Sequence, residues 1–343
     1  MERLSVEEIR KLAERVAADK LAPRASEIDQ NPTFPWDNIC ALRQAGFHRL
    51  ITAEEEGGMG CGRACFASVV KEIANACAST ALVYVSHSIV AKAIEVAGGE
   101  STKKRFLLEM LKGRGLGAFA VHEPDSGSNS GAITTIAKKD VDGYVVNGSK
   151  FFITSAGEAD LYLVLVRTDP EKGPQGMSTL LIEKDTPGLS FGRPEDKMGL
   201  RSTSSREISF NDCRVPFENL LGKEGEGTQI IGKTVIGWGF FGAAAISVGI
   251  ARTATELAIK HAKERTIGGQ PIGAHQAVQF MIADMVLGTE ASEALLATCA
   301  SQADLLPDTA ILNGLKAKLF ASENAVDVAN KAIQVMGGHG YCR

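Results

Sequence analysis

The run AVHEPDSGSNSGA, Ala120 to Ala132, sets an acid-proline pair and then glycine- and serine-punctuated turns behind a short apolar stretch. Backbone of this composition is open and rich in hydrogen-bonding groups, so its Ser and Gly amides can form a nest for an electron-rich acceptor. Taken alone, the run reads equally well as a solvated turn. Two other clusters invite a chemical reading. Cys61 and Cys65 in CGRAC suggest a metal half-site, but zinc needs a second such pair or nearby histidines, and none follow. Reduced, mostly buried thiols account for them, and no metal is expected. Gly58, Gly60 and Gly62 lie between helical segments rather than after a strand, so the dinucleotide-binding fingerprint is absent.

Such residues need elements to hold them. From Ser5 to about Gly113 apolar residues recur every three or four positions: Ile9, Leu12 and Val16, then Val69, Val70, Ile73 and Ala76, then Leu107, Leu108 and Leu111. That is helical periodicity, broken at Asn31-Pro32, Gly57-Gly58 and Gly98-Gly99. From about Leu116 to Leu221 the pattern changes to short β-branched and aromatic runs, among them AITTIAKK, YVVNG, FFIT and LYLVLVRT. Asp142-Gly143 between two of them is a strong hairpin signal. The helical period then returns over Ala244 to Lys263, Ala274 to about Cys299, and Asp308 to Met336. The fold class expected is α+β, mainly α: an N-terminal helical domain (1–115), a middle antiparallel β domain (116–222) and a C-terminal helical bundle (223–343).

Composition narrows the partners. With 343 residues, 44% of them hydrophobic, the chain can bury a large core. A net charge of -4 with interspersed signs provides no basic stripe for a nucleic-acid backbone. The N-terminus lacks the form of a targeting signal, and no 18-residue apolar segment is expected anywhere in the chain, so no membrane partner and a cytoplasmic location are expected. Seven scattered cysteines fit no disulfide framework.

Five segments occurring in order carry a resemblance. They are AVHEPDSGSNSGA, KFFITSAGEADLYLVL (150–165), DKMGLRSTSSREISFNDCRVP (196–216), ERTIGGQPIGAHQAVQFMIADM (264–285) and QVMGGHGY (334–341). Together they resemble the acyl-CoA dehydrogenase family over essentially the whole chain. The resemblance implies FAD as cofactor, Cα–Cβ desaturation of an acyl-CoA thioester, electrons passed to an electron-transfer flavoprotein, and a homotetramer. It also implies the contacts. Backbone around Phe119, Val121 and His122 would face the pyrimidine edge of the flavin, Ser128 would approach the cofactor phosphates or the CoA chain, and Phe152 and Thr154 would stand beside the ring. Arg265, His275 and Gln276 would reach a neighbouring subunit's FAD, and Gln334, Gly337 and Gly338 its adenosine end. Phe240 would lie in the substrate site.

The catalytic base is where this chain departs from the family pattern. Most members carry a Glu beyond the segment matching QVMGGHGY, so the resemblance implies a bundle that continues past Arg343. A minority place it on the first long helix of the C-terminal domain, where this chain has Gly239, followed by Phe240 in place of the usual Arg. His122 replaces the usual Thr, and Gly268 stands where a Phe is usual. These departures leave open a non-catalytic partner subunit, or an oxidase-like flavoprotein, on the same scaffold.

Overall fold

The computed structural model describes residues 4–127 and 129–342. In chain order the N-terminal elements are α1 (Val6–Val16), which passes through a π turn into α2 (Ala22–Gln30), then α3 (Trp36–Gln44), α4 (Arg63–Ala76), α5 (Ala78–Ala97), and the short α6 (Glu100–Thr102) and α7 (Leu108–Leu111). The strands follow: β1 (Gly117–Ala120), β2 (Ile136–Lys139), β3 (Gly143–Ile153), β4 (Leu161–Arg167), β5 (Met177–Glu183), β6 (Leu189–Phe191), β7 (Arg206–Pro216) and β8 (Leu220–Leu221). The chain then forms α8 (Gly227–Ile231), α9 (Gly237–Glu264), a hairpin of β9 (Thr266–Ile267) and β10 (Gln270–Pro271), α10 (Gln276–Leu305), α11 (Ala310–Met336) and α12 (Gly338–Tyr341). This is the expected order of helices, sheet and helices.

The chain divides into two compact units. One comprises the segments up to Pro23, Gly62–Ala81 and from Phe240 onward; the other comprises Arg24–Cys61 and Leu82–Gly239. The second contains the large sheet, ordered β6-β7-β3-β2-β4-β5-β8. Its pairing is antiparallel except around β4, which β1 joins in parallel and which meets β2 at one parallel pair. The Asp142-Gly143 signal is realised as the β2–β3 hairpin, closed by Asp140 N–H donating to Gly143 O at 2.9 Å. FFIT is not a strand of its own. YVVNG and FFIT are the two ends of β3, whose register against β7 shifts between Val146 and Gly148 and again between Lys150 and Ile153. Such bulges put two residues opposite one and re-aim the side chains beyond them.

Alternation on these strands turns Leu161, Leu163, Leu165, Met177 and Leu181 inward against Val90 and Ile94 of α5, with Phe106, Leu107 and Met110. Each fully buried side chain of this size is worth roughly 1.5–3 kcal/mol, enough to hold β1 and its following loop on a firm base.

In the first unit α10 and α11 form a helical hairpin joined through Leu306–Thr309. Met285 of α10 packs with Val328 and Val335 of α11 and with Ala251, Ala258 and Ala262 of α9. Asp304 caps α4, accepting from the Arg63 and Ala64 amides at 2.7 and 3.0 Å, which satisfies donors a helix start leaves open. One expectation needs correction: α5 and the helical run Gly227–Glu264 are long and apolar enough to cross a bilayer. Their apolar windows are 78% and 61% buried in the protein, so that character serves the core. All seven cysteines carry free thiols, and among the described residues no three metal-binding side chains cluster.

Candidate functional site

In the sheet-bearing unit the candidate residues are assembled by a buried ion pair. Lys150 lies on the inward phase of β3 and is wholly buried. Its Nζ donates to Glu123 Oε1 at 2.8 Å and to the Val121 carbonyl at 3.1 Å. The Glu123 carboxylate also accepts from Thr134 N at 2.6 Å, Thr134 Oγ1 at 2.8 Å and Thr135 N at 3.0 Å. Burial alone would raise the Glu123 carboxyl, but the Lys150 ammonium and these donors outweigh it and hold the group down at about 2. For Lys150 burial dominates over the help from Glu123 and brings the ammonium down to about 8. Both charges therefore exist only because each satisfies the other.

This pair fixes where β1 ends. Phe119 packs partly into the core beside buried Val121, and the His122 carbonyl accepts the Phe151 amide at 2.9 Å. The two predicted segments, 119–122 and 152–154, are thus joined by backbone. At the bulge Phe152 adopts φ +54° and exposes 67% of its surface. A bulky residue rarely takes this backbone region, which costs of order 1–3 kcal/mol and persists where the surroundings impose it. Here the imposing contacts are the Phe151 amide bond and an edge-on Phe151 ring 5.4 Å away. Thr154 is half-buried just beyond. His122 faces outward, its imidazole pushed below the usual value by partial desolvation and by the Lys150 charge. Ser128 lies outside the described residues.

The other unit holds the remaining candidates on an exposed rim. Arg265 follows the last turn of α9, its amide donating to His261 O at 2.9 Å and its carbonyl accepting from Ile272 N at 2.8 Å. Its guanidinium is exposed and has no ion-pair partner among the described residues. Gly268 and Gly269, at φ +61° and +86°, form the two-residue β9–β10 turn, which needs positive φ at both positions. Gly268 in place of the usual Phe is thereby accommodated. His275 caps α10 with extended backbone and Gln276 begins the helix, both exposed.

At the far end of the hairpin Gly337 stops α11 at φ +57°, ψ -132°, a conformation essentially restricted to glycine. A methyl group built on Gly337 or Gly338 would meet nothing within 4 Å, so the backbone here is open to close approach. Gln334 lies one turn earlier, also exposed. The rings of His261 and His339 approach to 5.5 Å. The helix end that leads to Arg265 and the turn at Gly337-Gly338 therefore form one rim.

Gly239 and Phe240 fall in the first turns of α9. A Cβ on Gly239 would meet only Ile89 Cδ1, at 3.2 Å. Half-buried Phe240 packs on α11 where Gly314 leaves room, since a Cβ there would come within 3.0 Å of the Phe240 Cβ. No acid occurs on α9 before Glu256.

Sequence reasoning missed Lys150 and Glu123. The available signal was a lysine in phase with inward-facing Tyr144 and Val146 of β3.

Three family models cover nearly all of the chain: acyl-CoA dehydrogenase, N-terminal domain, over residues 5–114; middle domain over 118–213; and C-terminal domain over 225–343. The cyclohex-1-ene-1-carbonyl-CoA dehydrogenase of Syntrophus aciditrophicus is 40% identical over 99% of this chain and 81% of its own length. The mitochondrial isobutyryl-CoA dehydrogenase of Dictyostelium discoideum is 38% identical over 95% of this chain and 78% of its own. The solved butyryl-CoA dehydrogenase of Megasphaera elsdenii superposes with a TM-score of 0.94 at 34% identity, covering 100% of this chain and 91% of that one. With all three domains matched in order, the chain belongs to the acyl-CoA dehydrogenase family.

Proposed function

We propose that the chain is an FAD-dependent acyl-CoA dehydrogenase that desaturates an acyl-CoA thioester between Cα and Cβ and passes the electrons to an electron-transfer flavoprotein. The observation that carries this reading is the exposed, strained Phe152 held beside His122 by the Lys150–Glu123 network. A ring exposed to this degree suits a planar cofactor.

The residues present fit FAD. Phe152 offers a ring surface, and His122, its imidazole lowered by desolvation and by Lys150, offers its ring nitrogens to a heterocycle edge. Thr154 adds a hydroxyl. Arg265 supplies a fork matched to a pyrophosphate, and Gly337-Gly338 supply bare backbone for the adenosine end. When bound, FAD supplies the acceptor for the β-hydride. Removing the α-proton requires a positioned carboxylate, and the opening turns of α9, with Gly239 and Phe240, do not provide one. A homotetramer, in which the Arg265 rim meets a neighbour's cofactor, is supported by the outward apolar side chains Phe280, Leu287, Leu319 and Val326.

The test is anaerobic addition of short, branched and cyclic acyl-CoA thioesters to the flavin-loaded protein. Bleaching of the flavin by at least one of them is expected. A protein that holds flavin but is bleached by none contradicts dehydrogenation and favours the non-catalytic partner subunit.

A further inference from the structure

Beneath β1 the sheet-bearing unit holds two histidines that the proposed chemistry does not use. His87, on α5, is 4% exposed, and its Nδ1 accepts the Gly117 amide at 3.2 Å. That bond places the ring proton on Nε2, which is buried without a partner. His48 follows α3 on the turn Phe47–Arg49. Its Nε2 donates to the Leu111 carbonyl at 2.8 Å, so in the neutral ring Nδ1 carries the lone pair, and this atom too is buried and makes no hydrogen bond, the Arg43 carbonyl lying nearby. One ring thus presents an unused donor and the other an unused acceptor.

Both rings line one small cavity, with Arg43 and Tyr84 among aliphatic side chains. Its free volume is ≈ 10 Å³ for the centre of a water molecule, which is about what a single water needs. Buried polar atoms are rarely left unsatisfied, and an internal water with two or more partners is the ordinary remedy.

We propose that this cavity is a binding site for one water molecule, which accepts from His87 Nε2 and donates to His48 Nδ1. The water ties α5 to the Phe47–Arg49 turn. A metal ion in the same place is disfavoured by the donor set, because the His87 nitrogen facing the cavity carries the proton. The arrangement persists across ordinary pH: burial, then the charge of Arg43, brings His87 down to about 3, so its ring stays neutral.

The site also bears on β1. Gly117 begins that strand two residues before Phe119 and is seated tightly, since a Cβ there would lie 2.8 Å from Val90 and 3.0 Å from Met110. The water holds the His87 ring in the orientation that receives the Gly117 amide.

A crystal structure of the whole protein at a resolution that shows ordered waters tests this directly. One peak is expected within about 2.7–3.2 Å of both nitrogens, and it should vanish in His48→Phe. Selective ¹⁵N labelling should show both rings as Nε2–H tautomers, a readout that does not depend on any variant folding. A dry cavity, a direct bond between the two rings, or His48 Nδ1 protonated and turned onto the Arg43 carbonyl would each overturn the proposal.

Discussion

The loop after β1 and the rim around Arg265 are built on opposite principles. Around His122 a buried lysine and glutamate with several backbone partners hold the chain in place before any ligand arrives. Around Arg265 the side chains are exposed, the guanidinium has no ion-pair partner among the described residues, and the glycines face open space. The first region is preorganised at a cost in stability that its own network offsets. The second leaves its guanidinium and glycine backbone open to solvent. Damage to the first should therefore unfold and unload the protein together, whereas damage to the second should unload it alone.

The largest effect is expected from Lys150→Met. It leaves the Glu123 carboxylate buried and uncompensated, a change that costs about 3–5 kcal/mol. Thermal unfolding should move to markedly lower temperature and flavin content should drop. Adding Glu123→Gln to that variant removes the stranded charge and should recover part of the loss. The pH dependence has a definite sign. The Glu123 carboxyl is depressed from 4.5 to about 2 in the fold, so its contribution is present above about 4.5 and is lost as pH falls toward 2. The stability gap between the parent and Glu123→Gln should narrow over that window in acid unfolding measurements.

Arg265→Ala sharpens the contrast from the other side. A charge-assisted contact of this type is worth about 1.5–3 kcal/mol, so FAD affinity should fall by about 10- to 100-fold while the melting temperature of the flavin-free protein stays put. A shift in that melting temperature would mean that the rim is structural after all.

Gly239→Glu addresses chemistry rather than assembly. The Cβ of the new residue would meet only Ile89 Cδ1, at 3.2 Å, which must give by a few tenths of an ångström, and a positioned base contributes about 10²–10⁴ in rate. A rise of at least about tenfold in acyl-CoA turnover by the 343-residue chain is expected, and unchanged turnover would show that α9 does not face the thioester.

The smallest effect is expected at Gly269. Its φ of +86° costs an alanine roughly 1 kcal/mol. Gly269→Ala should weaken FAD retention slightly through the displaced hairpin and leave the loop after β1 untouched, as judged by the fluorescence of bound flavin.

The order of helices and strands could be read from periodicity because long helices and hairpin strands repeat their apolar faces many times. β1 could not, since GAFA is too short to show alternation and its partner β4 lies more than forty residues further on. FFIT reads apart from YVVNG because the register shifts between Val146 and Gly148 and between Lys150 and Ile153 interrupt the regular pairing inside one strand. The Lys150–Glu123 pair was hidden for a different reason: charges are ordinarily solvated, and nothing local in 27 residues of separation announces that two of them meet in the core. Arg265, Gln334, Gly337 and Gly338 come to notice only through the family resemblance of their segments, since alone Arg265 reads as a surface charge at a helix end, and their exposure leaves nothing to infer about packing.

Titration of the flavin-free protein with FAD tests the proposed function most directly. Saturation is expected at one FAD per chain with a yellow, protein-perturbed spectrum, with affinity lowered by Arg265→Ala at unchanged apoprotein stability. Absence of flavin binding by the intact, folded parent protein would contradict it.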